Sequence, residues 1–493
     1  MGLAMKPKTF VFLRLSLLCA AMLCGPLAVC QSSFEVYKKK SLDRFNAYKQ
    51  HQQETVNQYR DKINKEFSNL LGHPWQLHSS TPAIGNPLKE IPPAPILAAP
   101  DNPSPRQNVQ YSRINVSPSD AEAPSELLPP IVKEIPADVH HLRFSFMGED
   151  CSLRIGKGKR IVPSGTKEAA VAKAWEAMSC PQYNLLAADF QALRERMELC
   201  DWATLEMAGE TASTLCGSKT SAEAVLLQAW LLSQSGLQVA MGVDEKDALR
   251  LLVATDKQLF NYPTFFVEGQ AFYVTDQAPI QKASVQPCRF PGTRPLKMVF
   301  VRPYASNEKP VQGNQSLVDE NRIRFFNTYP DFCDEGNPLS SFYYHAMVPL
   351  SKSAQKDLYP RLKQRIQGKS AVEAANILLS YFYNEFEYKE DENVWHTERY
   401  FYGEETLCYR FSDCEDRAIL YTWLVRDLLG LKTALVYYPG HLATAVRFPE
   451  DIPGDATLID GARYLICDPT YVGARIGMEM TIVDTSKAYV IPL

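Results

Sequence analysis

Three residues near the C-terminus of the sequence have the types and the order of a nucleophile, a base and an orienting acid. Cys414 follows Asp413 and begins an apolar pattern that ends at Gly430, which predicts a capped amphipathic helix with the thiol in its first turn. His441 follows a Pro-Gly turn at the head of a strand-like run, and Asp468 stands at the end of another such run. The pattern therefore predicts a cysteine-bearing helix beside two strands that carry the histidine and the aspartate.

This order of residues favours nucleophilic chemistry by the thiol. The positive end of a helix dipole favours a thiolate, a histidine can take the thiol proton, and an aspartate can orient the imidazole. The neighbouring carboxylates of Asp413, Glu415 and Asp416 act in the opposite direction, so activation has to come from the helix end and the histidine. Each residue also has an ordinary interpretation, as a buried structural cysteine, a core histidine or a turn-forming aspartate. Their combination favours the chemical one.

The same residues resemble the transglutaminase-like superfamily of papain-related fold, in the form of an exported bacterial member. The resemblance covers about residues 353–493. It implies an α+β domain in which the cysteine helix packs on an antiparallel sheet that brings the histidine and the aspartate alongside. It also implies that the cysteine attacks an acyl carbon of a protein or peptide amide to form a thioester, with the histidine transferring the proton. The motifs that carry the resemblance are Asp413-Cys414-x-Asp416, Gly440-His441 and Asp468-Pro469-Thr470.

Other parts of the catalytic machinery are less well defined by the sequence. Ser412 stands where this family often has glycine two residues before its cysteine. For the oxyanion we expect the backbone N–H of Cys414, with Trp395 as a weaker candidate, and we expect Tyr402 to line the cleft. Water is the most available acceptor, so hydrolysis is favoured over transfer. The sequence has no C-x-x-C motif and no His/Cys cluster, and we expect no metal and no cofactor.

A second stretch has the same organisation as the cysteine helix. Trp230 lies nine residues after Ser221, as Trp423 lies nine residues after Cys414, and both helical patterns end in Gly-Leu before a strand-like run. We therefore predict a degenerate copy of the catalytic domain, with Ser221 at the thiol position and no histidine. The alternative is chance, because a helix followed by strands is common.

The sequence predicts an α+β protein with several domains, since 493 residues suit roughly three domains. Strands are predicted at 296–301 and 341–348, and helices over 353–388 with a break at Gly368. The predicted regions are a signal peptide (1–30), a long amphipathic helix (31–72), a proline-rich linker (73–138), an α+β domain that forms the degenerate copy (139–280), a β-rich connecting region (281–350) and a transglutaminase-like catalytic domain (351–493).

The N-terminus has the pattern of an export signal. Basic residues precede an apolar run over 15–23 that is too short to span a membrane comfortably, and small residues stand before Gln31. We expect the protein in the periplasm, the cell envelope or outside the cell. Lipid anchoring at Cys30 is disfavoured because Val29 stands where glycine or alanine is normally required. No later stretch is long and apolar enough to predict a membrane span.

In an oxidising compartment the cysteines are candidates for disulfides. Eight cysteines besides Cys414 follow the signal, an even number that is compatible with pairing. The alternative is that several are small buried apolar residues.

Residues 34–71 contain an eleven-residue repeat. Eleven residues make three helical turns, so the repeated positions form one stripe on a nearly straight helix. We predict a stalk or docking helix that packs on another copy in a coiled coil, on a partner, or on this chain's own globular part. The two repeated sets are Phe34, Phe45, Val56 and Phe67, and Tyr37, Tyr48, Tyr59 and Leu70.

The composition limits the remaining classes of function. Fourteen prolines between residues 74 and 136 predict an extended spacer, interpreted as a plain linker, parts of which could lie across the globular surface. A net charge of −4 without a dense basic stripe gives no reason to expect a nucleic-acid partner. Two hypotheses follow: an exported cysteine acyl-transfer enzyme, more simply a peptidase or amidase, and a non-catalytic binding or assembly protein that uses the same scaffold.

Overall fold

The computed structural model describes residues 39–40, 42–44, 47, 57–95, 97–100, 108–116, 138–288, 290–300, 302–305 and 307–493. The chain divides into two compact units, Met1–Arg60 and Asp61–Leu493. The described residues of the first unit are helical. The predicted signal peptide over 1–30 and most positions of the eleven-residue repeat lie outside the described residues. Within those that are described, no helix is long and apolar enough to cross a membrane.

The second unit contains both helices and strands throughout. Its α-helices are α1 (61–71), α2 (Glu168–Met178), α3 (Pro181–Arg196), α4 (Asp201–Cys216), α5 (Ala222–Gln234), α6 (Glu320–Thr328), α7 (Ser340–Met347), α8 (Lys352–Ile366), α9 (Ala371–Glu385), α10 (Glu392–Trp395), α11 (Gly403–Cys408) and α12 (Cys414–Leu429). Its strands are β1 (Gln76–Ser79), β2 (Ser112–Arg113), β3 (Val139–Phe146), β4 (Glu149–Gly156), β5 (Val239–Asp244), β6 (Leu249–Ala254), β7 (Gln258–Leu259), β8 (Thr264–Val267), β9 (Gln270–Val274), β10 (Lys282–Cys288), β11 (Pro310–Gln312), β12 (Leu317–Asp319), β13 (Phe332–Cys333), β14 (Glu387–Tyr388), β15 (Phe411–Ser412), β16 (Thr433–Tyr438), β17 (His441–Val446), β18 (Ala456–Ile459), β19 (Ala462–Cys467) and β20 (Tyr489–Pro492).

Two six-stranded sheets organise this unit. The N-terminal sheet has the order β8-β9-β6-β5-β10-β1, and the C-terminal sheet has the order β18-β19-β17-β16-β20-β2. Neighbouring strands are antiparallel, except that β2 runs parallel to β20. Helix α5 packs on β5 and β6, and helix α12 packs on β16 and β17. The protein is therefore α+β with antiparallel sheets, as the sequence predicts.

The central strands of the C-terminal sheet are buried on both faces. Every residue of β16 and β17 is buried. Because successive side chains point to opposite faces, Leu435 packs with Ile419 of α12 while Val436 packs with Tyr111 on the other face. Two covered faces explain why these strands are apolar runs without polar alternation.

The region over 281–350 differs from the prediction of a β-rich connection. The predicted strand over 341–348 is wrong, because Ser340–Met347 forms helix α7. Of the predicted strand over 296–301, the described residues 296–300 contain only an isolated bridge at Leu296. The run Phe-Tyr-Tyr-His has high strand propensity, but its apolar residues at 342 and 346 pack on the C-terminal domain at helical spacing. Tertiary packing thus overrides local propensity here.

The helices are predicted more accurately where capping residues mark their ends. Helices α8 and α9 are separated around Gly368, as predicted, and Ser370 with Glu373 forms a capping box at the start of α9. The single helical pattern over 185–205 corresponds to two helices, because α3 ends at Arg196 and α4 begins at Asp201.

The last repeat of the N-terminal pattern packs on this chain's own core. In α1, Phe67 is buried and lies 4.9 Å from the Trp175 ring and 5.7 Å from the Phe290 ring. Leu70, which belongs to the second repeated set, is 40% exposed. The last turn of the repeat therefore packs on this chain's own globular part, which is one of the three alternatives that the repeat left open.

The proline-rich region is not a plain linker over its described part. Strand β1 belongs to the N-terminal sheet and strand β2 to the C-terminal sheet. Both strands fall in stretches without proline, 75–81 and 106–117, where backbone N–H donors remain for sheet pairing. The prediction of a linker over 73–138 is therefore wrong for these segments.

The described cysteines do not form disulfides, so the interpretation as paired cysteines is wrong for them. Three are buried apolar residues, Cys151, Cys333 and Cys467, which fits the alternative. The side chain of Cys288 lies outside the described residues. The free cysteines are Cys151, Cys180, Cys200, Cys216, Cys333, Cys408, Cys414 and Cys467.

Candidate functional site

Helix α12 begins at the candidate nucleophile. Asp413 and Asp416 form a capping box, and Gly430 ends the helix with a left-handed φ of 66°. Cys414 is the first helical residue, and only 6% of its surface is exposed. The buried face of α12, which includes Leu424, packs against α9 and the C-terminal sheet and fixes the position of the thiol.

The candidate base and its orienting acid lie on adjacent strands and touch each other. His441 is the first residue of β17, paired with Tyr438, and Asp468 follows the last residue of β19. The His441 Nε2 and Asp468 Oδ2 atoms are 2.7 Å apart, and both side chains are buried. Asp468 Oδ1 accepts hydrogen bonds from the backbone N–H groups of Thr470 (2.8 Å) and Tyr471 (3.2 Å). The turn after β19 therefore fixes the carboxylate that holds the imidazole.

The thiol of Cys414 is protonated in this conformation. Its Sγ donates a hydrogen bond to Glu415 Oε2 at 2.9 Å. Burial raises the pKa of Cys414 well above its usual range, and the charges of Glu415 and Asp413 raise it further. A hydrogen bond from the backbone N–H of Leu442, the residue after His441, acts in the opposite direction. The expected activation by the helix dipole is thus outweighed by burial and by the neighbouring carboxylates.

A cluster of buried carboxyl groups surrounds the start of α12. Burial raises the pKa of Asp391 to about 7, and it raises the pKa values of Asp413, Glu415 and Asp416 well above their usual range. The side chain of Arg417 lies beside this cluster, 5.2 Å from the Tyr388 ring. At neutral pH several of these acids are therefore protonated.

The same cluster has the ligand type that a divalent cation would need. Asp391, Asp413 and Asp416 form one group whose oxygens lie within 4.8 Å of one another, and Glu398, Asp413 and Glu415 form another. The raised pKa values show that protons can neutralise these groups without a metal. The sequence did not predict this cluster, because Asp391 and Glu398 come from a separate loop.

Cys414 and His441 line one narrow cleft. Its volume is about 30 Å³, room for only a few water molecules, so the cleft is narrow in this conformation. Residues of the proline-rich region form one of its walls. The lining residues are Leu88, Ile91, Pro93, Phe342, Glu398, Tyr400, Asp413, Cys414, Glu415, Tyr437, Gly440, His441 and Leu442.

Two predicted cleft residues lie elsewhere. The Tyr402 ring stacks on Phe326 and on His345, each at 4.3 Å, and belongs to the N-terminal core, so its predicted place in the cleft is wrong. Trp395 packs on Phe401 and Tyr409 and is not among the lining residues of the cleft.

The aromatic residues that do line the cleft are Tyr400 and Tyr437. Tyr400 lies two residues from Tyr402, in the stretch 395–411, whose aromatic residues predict a loop that leads to Cys414 and lines the cleft. Tyr437 precedes the Pro-Gly turn on β16, which was the available sequence signal. The aromatic loop was therefore the correct region, although the wrong members of it were chosen.

The described residues also contain a much larger cavity, of about 870 Å³, outside this site. It lies against helices α4, α5 and α6, and residues such as Trp202, Glu206 and Gln228 line it. None of Cys414, His441 and Asp468 borders this cavity. The geometry of the triad, and not cavity size, therefore identifies the candidate site.

Ser221 has a different position from the one predicted. It is the residue before α5, and its Oγ accepts a hydrogen bond from the Ala224 N–H at 3.3 Å. Ser221 therefore corresponds to the capping residue Asp413, and Ala222 is the first helical residue, where α12 has the cysteine.

Comparison of the chain with protein-family models and with curated proteins finds no match.

Proposed function

We propose that the protein is a cysteine-dependent acyl-transfer enzyme of the transglutaminase-like type, with Cys414 as nucleophile, His441 as base and Asp468 as orienting acid. The observation that carries the proposal is the buried 2.7 Å hydrogen bond between His441 Nε2 and Asp468 Oδ2, in a cleft that His441 shares with Cys414. A buried and oriented imidazole beside a helix-start thiol is the arrangement that nucleophilic catalysis requires.

The hydrogen bonding of the imidazole assigns a role to each ring nitrogen. When Nε2–H donates to Asp468 Oδ2, the proton is on Nε2 and the lone pair is on Nδ1. Nδ1 is then the atom that takes the thiol proton as Cys414 Sγ attacks the carbonyl carbon of a peptide or glutamine amide. The imidazolium returns this proton to the leaving amine, and a thioester remains. Attack by water on the thioester then gives hydrolysis, which we favour, and attack by an amine gives transfer.

The environment of the thiol disfavours the thiolate, because burial and the charges of Glu415 and Asp413 raise the pKa of Cys414. The proton shared between Cys414 and Glu415 has to be lost or moved before attack. The backbone N–H of Cys414 at the start of α12 stays our candidate for stabilising the oxyanion, since the first N–H groups of a helix have no partner within the helix.

The first experiment measures thioester formation directly. A glutaminyl dipeptide is incubated with hydroxylamine, which traps a thioester as a hydroxamate. We expect hydroxamate from the full chain and none above background from Cys414→Ala. We expect at least a hundredfold loss for His441→Ala. The control is His141→Ala. His141 is an exposed histidine on β3 that contacts Ser152, so its replacement should leave hydroxamate formation unchanged.

A second readout does not depend on the choice of substrate. Alkylation of Cys414 by iodoacetamide, followed by peptide mapping, should slow when His441 is replaced. If His441→Ala leaves the alkylation rate unchanged, the second hypothesis is favoured, a non-catalytic binding or assembly protein on the same scaffold. Export to the periplasm, the envelope or the medium remains part of the proposal, and the N-terminal helix stays a proposed contact with a second copy or a partner.

A further inference from the structure

Part of the proline-rich region lies across the entrance of the candidate site. We call residues 84–95 and 97–99 the strap. The backbone N–H of Asn261 donates to Ile84 O at 2.8 Å, which anchors the beginning of the strap on the N-terminal domain. The backbone N–H of Ala94 donates to Gly440 O at 2.7 Å, next to the candidate base. The strap therefore crosses the turn that carries His441.

The contact at this turn leaves no room for a side chain. Gly440 has a left-handed φ of 77°, and a Cβ atom there would lie 2.2 Å from Pro92 O. The backbone of the strap and the backbone of the catalytic turn are thus packed directly on each other.

A lysine of the strap is held by the catalytic domain and its neighbour. Lys89 Nζ lies 2.6 Å from Asp331 Oδ2 and 5.0 Å from the centre of the Tyr400 ring. Only 16% of the lysine side chain is exposed. Its positive charge also acts on Asp391 and Glu398 in the acidic cluster. Charge complementarity therefore fixes this end of the strap beside the thiol.

The strap continues to the turn that carries the orienting acid. Ala98 pairs with Val472 in an isolated parallel bridge, and the Ala99 N–H donates to Val472 O at 2.9 Å. Val472 lies four residues after Asp468. The strap thus follows the two turns of the candidate site in succession and leaves the cleft a volume of about 30 Å³.

We propose that the strap occupies the polypeptide-binding groove of the Cys414 site, and that an extended polypeptide substrate has to displace it to reach the thiol. This inference rests on the proposed function, because it concerns access to the same site. The strap has two roles in one position. It closes the cleft to solvent, and it occupies the path that a substrate chain takes.

The contacts of the strap indicate the class of substrate. Its hydrogen bonds with Gly440 and Val472 are made by backbone groups, so any extended polypeptide can form them. A small amine lacks the repeated N–H and C=O groups of a polypeptide backbone. A basic side chain at the position of Lys89 adds the contact with Asp331 and Tyr400. Lys89 itself lies in a 3₁₀ turn, Pro87–Glu90. The groove therefore fits a protein segment that is extended along Gly440 and Val472 and carries a basic residue in a turn before them.

The first test loosens the strap by removing the ion pair of Lys89 with Asp331. In the full chain, Lys89→Ala should increase the rate of Cys414 alkylation by iodoacetamide about tenfold, which corresponds to about 1.4 kcal/mol in the opening equilibrium. Lys363→Ala is the matched control, since Lys363 lies 5.9 Å from the Tyr359 ring on α8. An unchanged rate in Lys89→Ala, or an equal increase in both variants, contradicts the proposal.

The second test fastens the strap. Ala98 and Val472 are paired, so the double change Ala98→Cys and Val472→Cys places two cysteines at disulfide distance. Oxidation should slow alkylation of Cys414 at least tenfold, and dithiothreitol should restore the rate. The two single changes are the controls. If the oxidised double variant reacts as fast as the reduced one, the strap does not control access.

The third test asks whether the groove binds a chain in trans. A synthetic peptide with the sequence of residues 84–100 should slow alkylation in the Lys89→Ala variant, and the same peptide with alanine at the lysine position should be weaker. Equal effects of the two peptides, or none, would overturn the polypeptide assignment. Rates that respond to the strap but not to His441→Ala would support the strap and count against the proposed function. Rates that respond to His441→Ala but not to the strap would support the proposed function and count against the strap.

Discussion

The N-terminal and C-terminal sheets have the same strand order, but the helix that packs on the C-terminal sheet begins with a cysteine and the helix that packs on the N-terminal sheet begins with an alanine. Strands β5 and β16, which follow α5 and α12, pair with β6 and β17. These pair in turn with β9 and β19, each the second strand of a hairpin. Strands β10 and β20 pair with the other side of β5 and β16, and the edge strands β1 and β2 come from the proline-rich region. Five strands correspond in order and direction, with a helix in one place, whereas the edge strands differ, because β1 is antiparallel to β10 and β2 is parallel to β20. The duplication stays a prediction. The shared architecture therefore does not by itself supply the chemistry.

The paired strands allow positions in the two sheets to be compared. Val239 and Thr433 begin the strands after the helices, and their partners are Val253 and Val446. His441 lies five residues before Val446, and Ala248 lies five residues before Val253. Ala248 therefore stands where the C-terminal sheet has His441.

The same comparison places an aspartate of the N-terminal sheet at the position of Asp468. Val446 pairs with Leu465, and Val253 pairs with Tyr273, so Asp276, three residues after Tyr273, stands where the C-terminal sheet has Asp468, three residues after Leu465. Asp276 forms an ion pair with Arg250 at 2.5 Å. The N-terminal sheet thus keeps a carboxylate but pairs it with a cation in place of a histidine. The difference between the sheets lies in a few residues at the ends of equivalent elements.

The largest difference between the sheets is expected in the rate of hydroxamate formation after replacement of Asp468 or Asp276. Asp468 Oδ1 is held by the Thr470 and Tyr471 N–H groups, so in Asp468→Asn the amide oxygen stays there and the NH₂ group faces His441. The imidazole proton then moves to Nδ1, which can no longer accept the thiol proton. We expect hydroxamate formation to fall on the order of 10⁴-fold, the scale seen when a triad imidazole has the wrong tautomer.

The control for this prediction is Asp276→Asn. Its ion pair with Arg250 is partly exposed, so the change should cost at most about 1 kcal/mol of stability and leave the rate of hydroxamate formation unchanged. Equal losses of activity in Asp468→Asn and Asp276→Asn would remove the functional distinction between the sheets.

The second prediction concerns Trp230 of α5 and Trp423 of α12, the two tryptophans on the helices that pack on the sheets. Trp230 has 0% exposure and packs edge-to-face on Tyr183, whereas Trp423 is half-buried and donates to the Tyr359 hydroxyl at 3.1 Å. We expect Trp230→Ala to lower the free energy of unfolding by about 3–5 kcal/mol and Trp423→Ala by about 1–2 kcal/mol. Urea unfolding followed by circular dichroism measures both. A larger loss for Trp423→Ala would contradict the burial that distinguishes the two helices.

Particular residues show what the sequence could and could not predict. The order of Cys414, His441 and Asp468, with caps and turns around them, predicted the elements that carry the site. The strap was missed because dense proline excludes regular structure but does not show where an extended chain binds. The acidic cluster was missed because it forms only when the loop with Asp391 folds onto α12. Short-range patterns therefore predict elements, while contacts between distant segments need the fold.

The third prediction is a pH dependence that both halves share. Burial raises the pKa of Asp391 in the C-terminal half and of Glu206 in the N-terminal half, each to about 7. Between the ordinary carboxyl pKa near 4 and pH 7, the folded state binds more protons than the unfolded state. The free energy of unfolding should therefore fall as the pH rises through this window, by up to about 1.4 kcal/mol per pH unit for each such group.

Neutral replacements test this sign. Asp391→Asn and Glu206→Gln keep an oxygen that can accept the hydrogen bonds from the Arg399 N–H and the Thr328 hydroxyl. Each change should flatten the dependence of the unfolding free energy on pH between 5 and 7. Denaturant titrations at several pH values measure the slope. A stability that rises with pH in this window would show that these acids are ionised in the folded protein.

The smallest expected effect separates the capping role of Ser221 from a role in chemistry. Ser221 Oγ caps α5 by accepting from Ala224 N–H, and Ser370 Oγ caps α9 in the same way from Glu373 N–H at 3.2 Å. Ser221→Ala and Ser370→Ala should each lower the free energy of unfolding by about 1 kcal/mol, since each leaves one helix N–H without its partner. Neither should change the rate of hydroxamate formation or of Cys414 alkylation. A loss of activity in Ser221→Ala but not in Ser370→Ala would give the N-terminal half a part in the reaction, and the division between a catalytic and a non-catalytic sheet would no longer hold.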